Sequence, residues 1–304
     1  MKQKVLISFS GGETSAFMSQ WLWRHKQDEY EMIFVFANTG QENEETLRFV
    51  EHCSRYFKFP VVWVEANVTF ADRIGTTHKI VDYFSASRDG QPFEDIISKY
   101  GIPNMAMPHC TRELKQNPIK SYAKSLGWKD YYTAIGIRID EGSRMNEKWI
   151  EKKFMYPLIS KEFMPMTKPA INFFWKNMPF RLNLKGYQGN CVTCWKKGHP
   201  KLYQIARENE AAFNFFGKME LRYDKFTPES RVKKMAERGE IPIYPIRFFR
   251  GNKSVQDIIE ESKTNLKPII DDAMVFPEPN LFEDYDLQGG ESCEVFSECP
   301  NDEN

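Results

Sequence analysis

The chain has 304 residues, with 42 lysines and arginines balanced by 42 aspartates and glutamates, and 41% of its residues are hydrophobic. That composition describes a globular chain long enough for one elaborated domain or two, and it excludes a protein whose main interaction is bulk electrostatic wrapping of nucleic acid. The apolar run Val5–Phe9 is too short for a signal peptide, and no run approaches the roughly 18 residues of a membrane span, so a cytoplasmic location without membrane contact is expected.

In chain order, residues 4–9 read as a buried strand, Ser10 to Ser15 as a small polar loop, and Ala16 to Trp23 as a helix. The pattern repeats, with a strand over Met32–Ala37, a turn at Asn38-Thr39-Gly40, and a helix face made by Leu47, Phe49, Val50, Cys53 and Phe57. Val61–Val64 is a third strand. A loop-rich insertion follows, with turn-rich stretches at Gly75–His78 and Gly101–Pro108. Asn117-Pro118 opens a helix that runs to Leu126, and Tyr131–Ile137 is another strand. Strands alternating with helices predict right-handed crossovers and a parallel sheet, with ligands beyond the carboxyl ends of its strands. From about residue 160 prolines and glycines break the pattern. The expected division is therefore 1–160 for the α/β unit, 161–275 for a helical and loop extension, and 276–304 for an acidic tail.

Ser8-Phe9-Ser10-Gly11-Gly12-Glu13-Thr14-Ser15 joins the first strand to the first helix, so that backbone N–H groups and the helix N-terminus can hold an anion. Neither the Walker sequence nor the dinucleotide fingerprint occurs in the chain. The string resembles the PP-loop, S-G-G-x-[DT]-S, of the adenine nucleotide α-hydrolase superfamily. Phe36–Val50 and Gly136-Ile137-Arg138-Ile139-Asp140-Glu141-Gly142-Ser143-Arg144 are similar to segments of its phosphoadenosine phosphosulfate reductase family, and chains of this composite pattern resemble members carried by phages and mobile elements. The resemblance spans about residues 4–200. It implies an α/β fold with a doubly wound parallel five-stranded sheet, Rossmann-like, and an irregular, mostly helical C-terminal extension. It further implies nucleotide contacts from Ser8, Ser10, Gly11, Gly12, Thr14, Ser15, Asn38, Thr39, Gly40, Gly136 and Arg138, and catalytic roles for Arg138, Arg144 and Lys115. Asp140 and Glu141 are left as either Mg²⁺ ligands or partners of the arginines.

His109-Cys110 and the later Cys191-Val192-Thr193-Cys194 form a second constellation. Alone, a C-x-x-C is a redox dithiol, half of a zinc site, or chance. His109–Ile119 is similar to the C-C-x-x-R-K-x-x-P-[LI] segment of adenylyl-sulfate reductases, whose cysteines hold a [4Fe–4S] cluster, with His109 here in place of the first cysteine. The implied ligands are Cys110, Cys191 and Cys194, with His109 or His199 as the fourth; the same donors also suit zinc. Cys53 reads as a core thiol, and Cys293 and Cys299 as thiols of a tail that lacks the reductases' E-C-G-L-H.

Two chemistries follow from the resemblance: ATP cleavage between the α- and β-phosphates to adenylate an acceptor for sulfur transfer, or reduction of an adenylyl-sulfate or phosphoadenylyl-sulfate. A third reading is an adenine-nucleotide-binding interaction protein without turnover. The intact loop favours the first. A sulfur donor or thioredoxin-like reductant and a homodimer are compatible partners, and the basic and aromatic stretch Trp195–Lys201 suggests a nucleic-acid substrate.

Overall fold

The computed structural model describes residues 2–71, 74–277 and 296. In chain order its main elements are β1 (Gln3–Ser8), α1 (Glu13–His25), β2 (Tyr30–Asn38), α2 (Glu44–Phe57), β3 (Val61–Asn67), β4 (Thr77–Val81), α3 (Gln91–Tyr100), α4 (His109–Thr111), α5 (Asn117–Ser125), β5 (Tyr132–Ala134), β6 (Phe154–Met155), α6 (Lys168–Lys176), α7 (His199–Glu208), α8 (Asn214–Tyr223), α9 (Glu229–Ala236) and α10 (Val255–Thr264). The strands form one sheet in the order β4-β3-β2-β1-β5-β6. All neighbours are parallel except β3 and β4.

The expected α/β class and Rossmann-like parallel sheet are present: β3, β2, β1, β5 and β6 make the five parallel strands. The sixth strand, β4, is a correction, because it falls in the stretch read as a loop-rich insertion. Four of its five residues, Thr77 to Ile80, are exposed or half-buried and only Val81 is buried, so it has no apolar period to betray it. Its pairing with Asn67–Trp63 is tertiary, and Lys79 suits an edge strand. Conversely, Ile135 to Ile137 are buried but lie beyond the end of β5.

Central strands of a parallel sheet are covered on both faces and read as continuous apolar runs. Val5, Leu6 and Ile7 fit this, all fully buried. One face packs against α1, α2 and α6, with Phe17, Leu47, Phe49 and Trp175 in one cluster. The other packs against α5 through Ile119 and Ala123. A third core joins α3 to α7, α8 and α10 through Phe93, Leu202, Phe216 and Ile258. α6 packs on the sheet and α3 on the C-terminal helices. None of the described helices is long and apolar enough to cross a membrane.

β1 has β2 on one side and β5 on the other, so the connections leaving β1 and β5 diverge to opposite sides. A crevice opens at that switch point, the usual ligand position in such sheets. The Ser10–Ser15 loop and Gly136–Arg144 are the segments that leave these two strand ends.

Candidate nucleotide cleft and cysteine cavity

The loop after β1 is built by its own short-range bonds. The Ser10 amide donates to Ser15 Oγ (3.2 Å), the two hydroxyl oxygens lie 2.9 Å apart, and Ser15 Oγ donates to the Gly12 carbonyl (3.0 Å). Gly11 takes φ +84°, and a Cβ there would stand 2.7 Å from Thr46 Cγ2. Gly136 is packed as closely, since its Cβ would lie 3.0 Å from Ser15 Cα. The backbone can turn and approach a ligand only because both positions lack a side chain. Gly12 caps α1 without a side-chain hydrogen bond, so the first-turn amides face the crevice as an anion site.

An open cleft of about 1000 Å³ lies over this loop, lined by Ser10, Gly11, Gly12, Glu13, Thr14 and Thr46 on one side and by Arg138, Glu141, Lys168, Lys185, Lys197, Lys201 and Asp272 on the others. Arg138 is 8% exposed; its Nη1 donates to Thr14 Oγ1 (3.0 Å) and meets Glu141 at 3.1 Å, while Nη2 meets Asp140 at 2.9 Å. Burial opposes its charge, but Glu141 and Asp140 outweigh it and raise the guanidinium above its ordinary value. Arg144, 2% exposed, lies behind and donates to Glu141 (2.6 Å). Asp140 and Glu141 are thus arginine partners in this structure. Asp272 is different: its Oδ1 is buried with no hydrogen-bond partner among the described residues, and Gly186 leaves the room it occupies. A carboxylate beside a phosphate site suits Mg²⁺, which takes few protein ligands and completes its shell with phosphates and water.

Several cleft residues carried no signal in the sequence. Glu13, at the variable position of the loop, pairs with Arg181 (3.0 Å), and Trp175 Nε1 donates to its carbonyl (2.9 Å). Burial raises the Glu13 carboxyl above its usual range, against the pull of Arg181. Burial also lowers the Lys168 ammonium, with Asp272 working against that shift. Lys168, Arg181 and Asp272 come from segments without motif, which only packing brings to β1.

Cys110, Cys191 and Cys194 line a second, smaller cavity of about 420 Å³, with Thr39, Lys115 and the apolar walls Phe93, Leu114, Trp195 and Phe216. Residue 191 is clipped to the end of β2: the Val192 amide donates to the Gln41 carbonyl (2.8 Å), and Glu42 and Cys191 form an antiparallel bridge. Thr39 Oγ1 stands 3.5 Å from Cys191 Sγ, and Lys115 Nζ 3.6 Å from Glu42. Burial, then the Glu42 carboxylate, push the Cys191 thiol up to about 12, with Lys115 opposing. Lys197, 4% exposed, donates to the carbonyls of Gly189 (2.6 Å), Cys191 (2.9 Å) and Val192 (3.3 Å), and burial lowers it to about 8.

Of the residues expected at the nucleotide, Ser10, Gly11, Gly12, Thr14 and Arg138 line the cleft, and Ser15 and Gly136 shape the loop beneath it. Ser8 is fully buried, with no hydrogen-bond partner for its hydroxyl among the described residues. Asn38 is also buried and donates its amide to Glu65 (2.7 Å) and the Ser87 carbonyl (2.9 Å). Gly40 packs on Gly90, and Thr39 faces the cysteines. The turn after β2 therefore supports the cysteine cavity. Lys115 lies in that cavity as well, away from Arg138 and Arg144.

The three cysteines come together, but the histidines do not join them. His109 faces another groove beside Tyr100, 5.7 Å between ring centroids, and His199 packs beside Tyr203 at 5.8 Å. No three His, Cys, Asp or Glu side chains among the described residues form a group that could hold a single metal ion. Three thiols on the wall of one cavity are donors that either zinc or a [4Fe–4S] core with one open iron would take. Within Trp195–Lys201, Trp195 and Lys197 are buried, and Lys197 and Lys201 line the cleft over the Ser10–Ser15 loop. Cys53 is a core thiol raised by burial, as expected, and Cys293 and Cys299 lie outside the described residues.

A glycine-bearing loop at the switch point of a parallel sheet, with cations across the cleft, defines a nucleotide-binding α/β protein of the PP-loop kind. The model of the phosphoadenosine phosphosulfate reductase domain matches residues 4–274, and the chain belongs to that family. An uncharacterized nin region protein of Escherichia phage lambda is 30% identical over 220 residues, 70% of this chain and 73% of that protein, in keeping with a phage or mobile-element type. An uncharacterized protein of Methanocaldococcus jannaschii is 24% identical over 153 residues, 50% of this chain but only 26% of its own length.

Proposed function

We propose that the protein is an ATP-cleaving adenylyltransferase of the PP-loop kind that activates an acceptor for sulfur transfer. The observation that carries this reading is the shared wall between the two cavities: Asn190 lines both, and Lys197 reaches from the phosphate cleft into the loop that bears Cys191 and Cys194. An activated group made over the PP-loop would lie next to the thiols.

In this reading the first-turn amides of α1, with Ser10 and Thr14, hold the β- and γ-phosphates, and Asp272 supports Mg²⁺ there. Arg138, kept charged by Glu141 and Asp140, compensates negative charge that builds on the phosphates. An acceptor oxygen attacks the α-phosphorus, the bond to the α,β-bridging oxygen breaks with its electron pair, and pyrophosphate leaves. A sulfur nucleophile then displaces AMP from the adenylated acceptor. Cys110, Cys191 and Cys194 would hold a [4Fe–4S] cluster, which supplies an open iron position for a sulfur ligand. The apolar walls keep that cavity dry.

The buried thiols and the reductase-like segments favour one second reading, reduction of a sulfonucleotide. The two separate on products: ATP labelled at the α-phosphate yields AMP and pyrophosphate in the first, and adenylyl-sulfate or its 3′-phosphorylated form yields AMP and sulfite in the second. Release of ADP, or neither reaction with metal-replete protein, would overturn the proposal. Iron and acid-labile sulfide measured on anaerobically purified protein, lost in Cys191→Ala, are expected; stoichiometric zinc would replace the cluster assignment.

A further inference from the structure

Beyond the two cavities, a groove runs between α3, α4 and α9, with a volume of about 1220 Å³, above the roughly 300–1,000 Å³ usual for a small-molecule pocket. Among the described residues its walls hold Lys99, Arg112, Arg231, Lys233, Lys234 and Arg238 against one carboxylate, Glu229. In a chain of zero formal charge that is a strong local excess. Arg112 and Arg238 have carboxylate partners, Glu113 at 2.7 Å and Glu240 at 3.2 Å. For Arg231, Lys233 and Lys234 there is no ion pair among the described residues. All three stand on α9, which buries none of its residues. Burial, and then Arg238, lower the Arg231 guanidinium from its ordinary value, with Glu240 opposing, so like charges crowd here.

The groove is not only basic. Tyr100 and Phe226 line it, and His109 lies beside Tyr100 with its Nε2 buried and without a hydrogen-bond partner among the described residues. Cations for phosphates, aromatic faces for bases and an unused ring nitrogen are the elements of a single-strand site. Its position has chemical meaning too. α4 and the π-helical turn after it, Arg112–Gln116, are the partition between this groove and the cysteine cavity. His109 and Arg112 face the groove, while Cys110, Thr111, Leu114 and Lys115 face the cavity.

We propose that this groove binds a single-stranded nucleic acid and presents it, across the α4 partition, as the acceptor. The acceptor role rests on the ATP-cleavage reading; binding itself does not. A fluorescent oligonucleotide of about 12 nucleotides, single-stranded DNA or RNA, is titrated with the full chain by anisotropy, without ATP or Mg²⁺, between about 50 and 200 mM salt. Failure to bind and failure to cleave ATP are thus separate results.

Wild type is expected to bind with an affinity that falls linearly, on logarithmic axes, with salt. The combined variant Arg231→Ala, Lys233→Ala, Lys234→Ala, all outside the core, is expected to lose at least tenfold in affinity near 0.1 M salt and to flatten the slope by about 2. Phe226→Ala, once its melting curve shows it folded, should weaken binding roughly fivefold or more with the slope unchanged. Equal affinity of the triple variant and wild type overturns the proposal. So does a polyglutamate or a duplex of equal length that competes as well as the single strand, which would make the groove a site for an acidic polypeptide or for double helices.

Discussion

The phosphate cleft and the cysteine cavity share a wall but are made by opposite means. The cleft's floor is backbone, held by bonds spanning at most five residues, and its charges are set in pairs: Arg138 with Glu141, Glu13 with Arg181. The cysteine cavity is made of side chains from distant segments, walled by Phe93, Leu114, Trp195 and Phe216, and depends on residue 191 docking on the end of β2. An anion site built from backbone tolerates almost no added atoms. A thiol site built from docking tolerates them but depends on the body that carries it.

That contrast can be broken or sharpened by substitution. The largest effect is expected for Arg138→Ala, which removes a buried guanidinium from Thr14, Asp140 and Glu141; a loss of about 3 kcal/mol in denaturant unfolding and of measurable nucleotide binding should follow. Gly11→Ala, which forces φ +84° on a side chain aimed at Thr46, should cost about 2 kcal/mol and weaken nucleotide binding more than a hundredfold by fluorescence titration. Unchanged binding would mean that the loop backbone does not hold the phosphates. Cys191→Ser tests the other cavity: iron and sulfide are expected to vanish while nucleotide affinity stays within about threefold. A large drop in affinity would show that the two sites are one. Trp175→Phe, which strips the Nε1 donor from the Glu13 carbonyl, should cost about 1 kcal/mol in unfolding free energy.

The smallest effect is a pH slope. Because burial raises the Glu13 carboxyl, the folded chain holds that proton more tightly than the unfolded one just above the ordinary carboxylate range. Its contribution to stability therefore falls as pH rises through that window. Glu13→Gln removes the slope, so its melting temperature relative to wild type should rise from acid to neutral pH; a relative fall would mean that Arg181 outweighs burial.

Strand periodicity, the Ser10–Ser15 loop between strand and helix, and the C-x-x-C were legible because each is a local pattern: buried parallel strands are apolar throughout, and a phosphate loop needs small residues in sequence. β4 was not legible, since four of its five residues are exposed or half-buried and its partner is antiparallel β3. Motif position says nothing about side-chain direction in the turn after β2, where Asn38 turns its amide to Glu65 and Thr39 faces Cys191. Within Trp195–Lys201, composition cannot distinguish a lysine in solvent from one caged by three carbonyls, as Lys197 is.

By itself, then, the sequence determined the parallel α/β frame, the anion loop and the supply of thiols, since these follow from residue type and near-neighbour spacing. Tertiary structure alone decided that Lys168 and Asp272 complete the cleft with Arg181 paired behind Glu13, that three cysteines share a cavity without either histidine, and that α9 faces α4 across a basic groove. Those are contacts between residues far apart in the chain, whose formation depends on how the helices pack on the sheet and on one another.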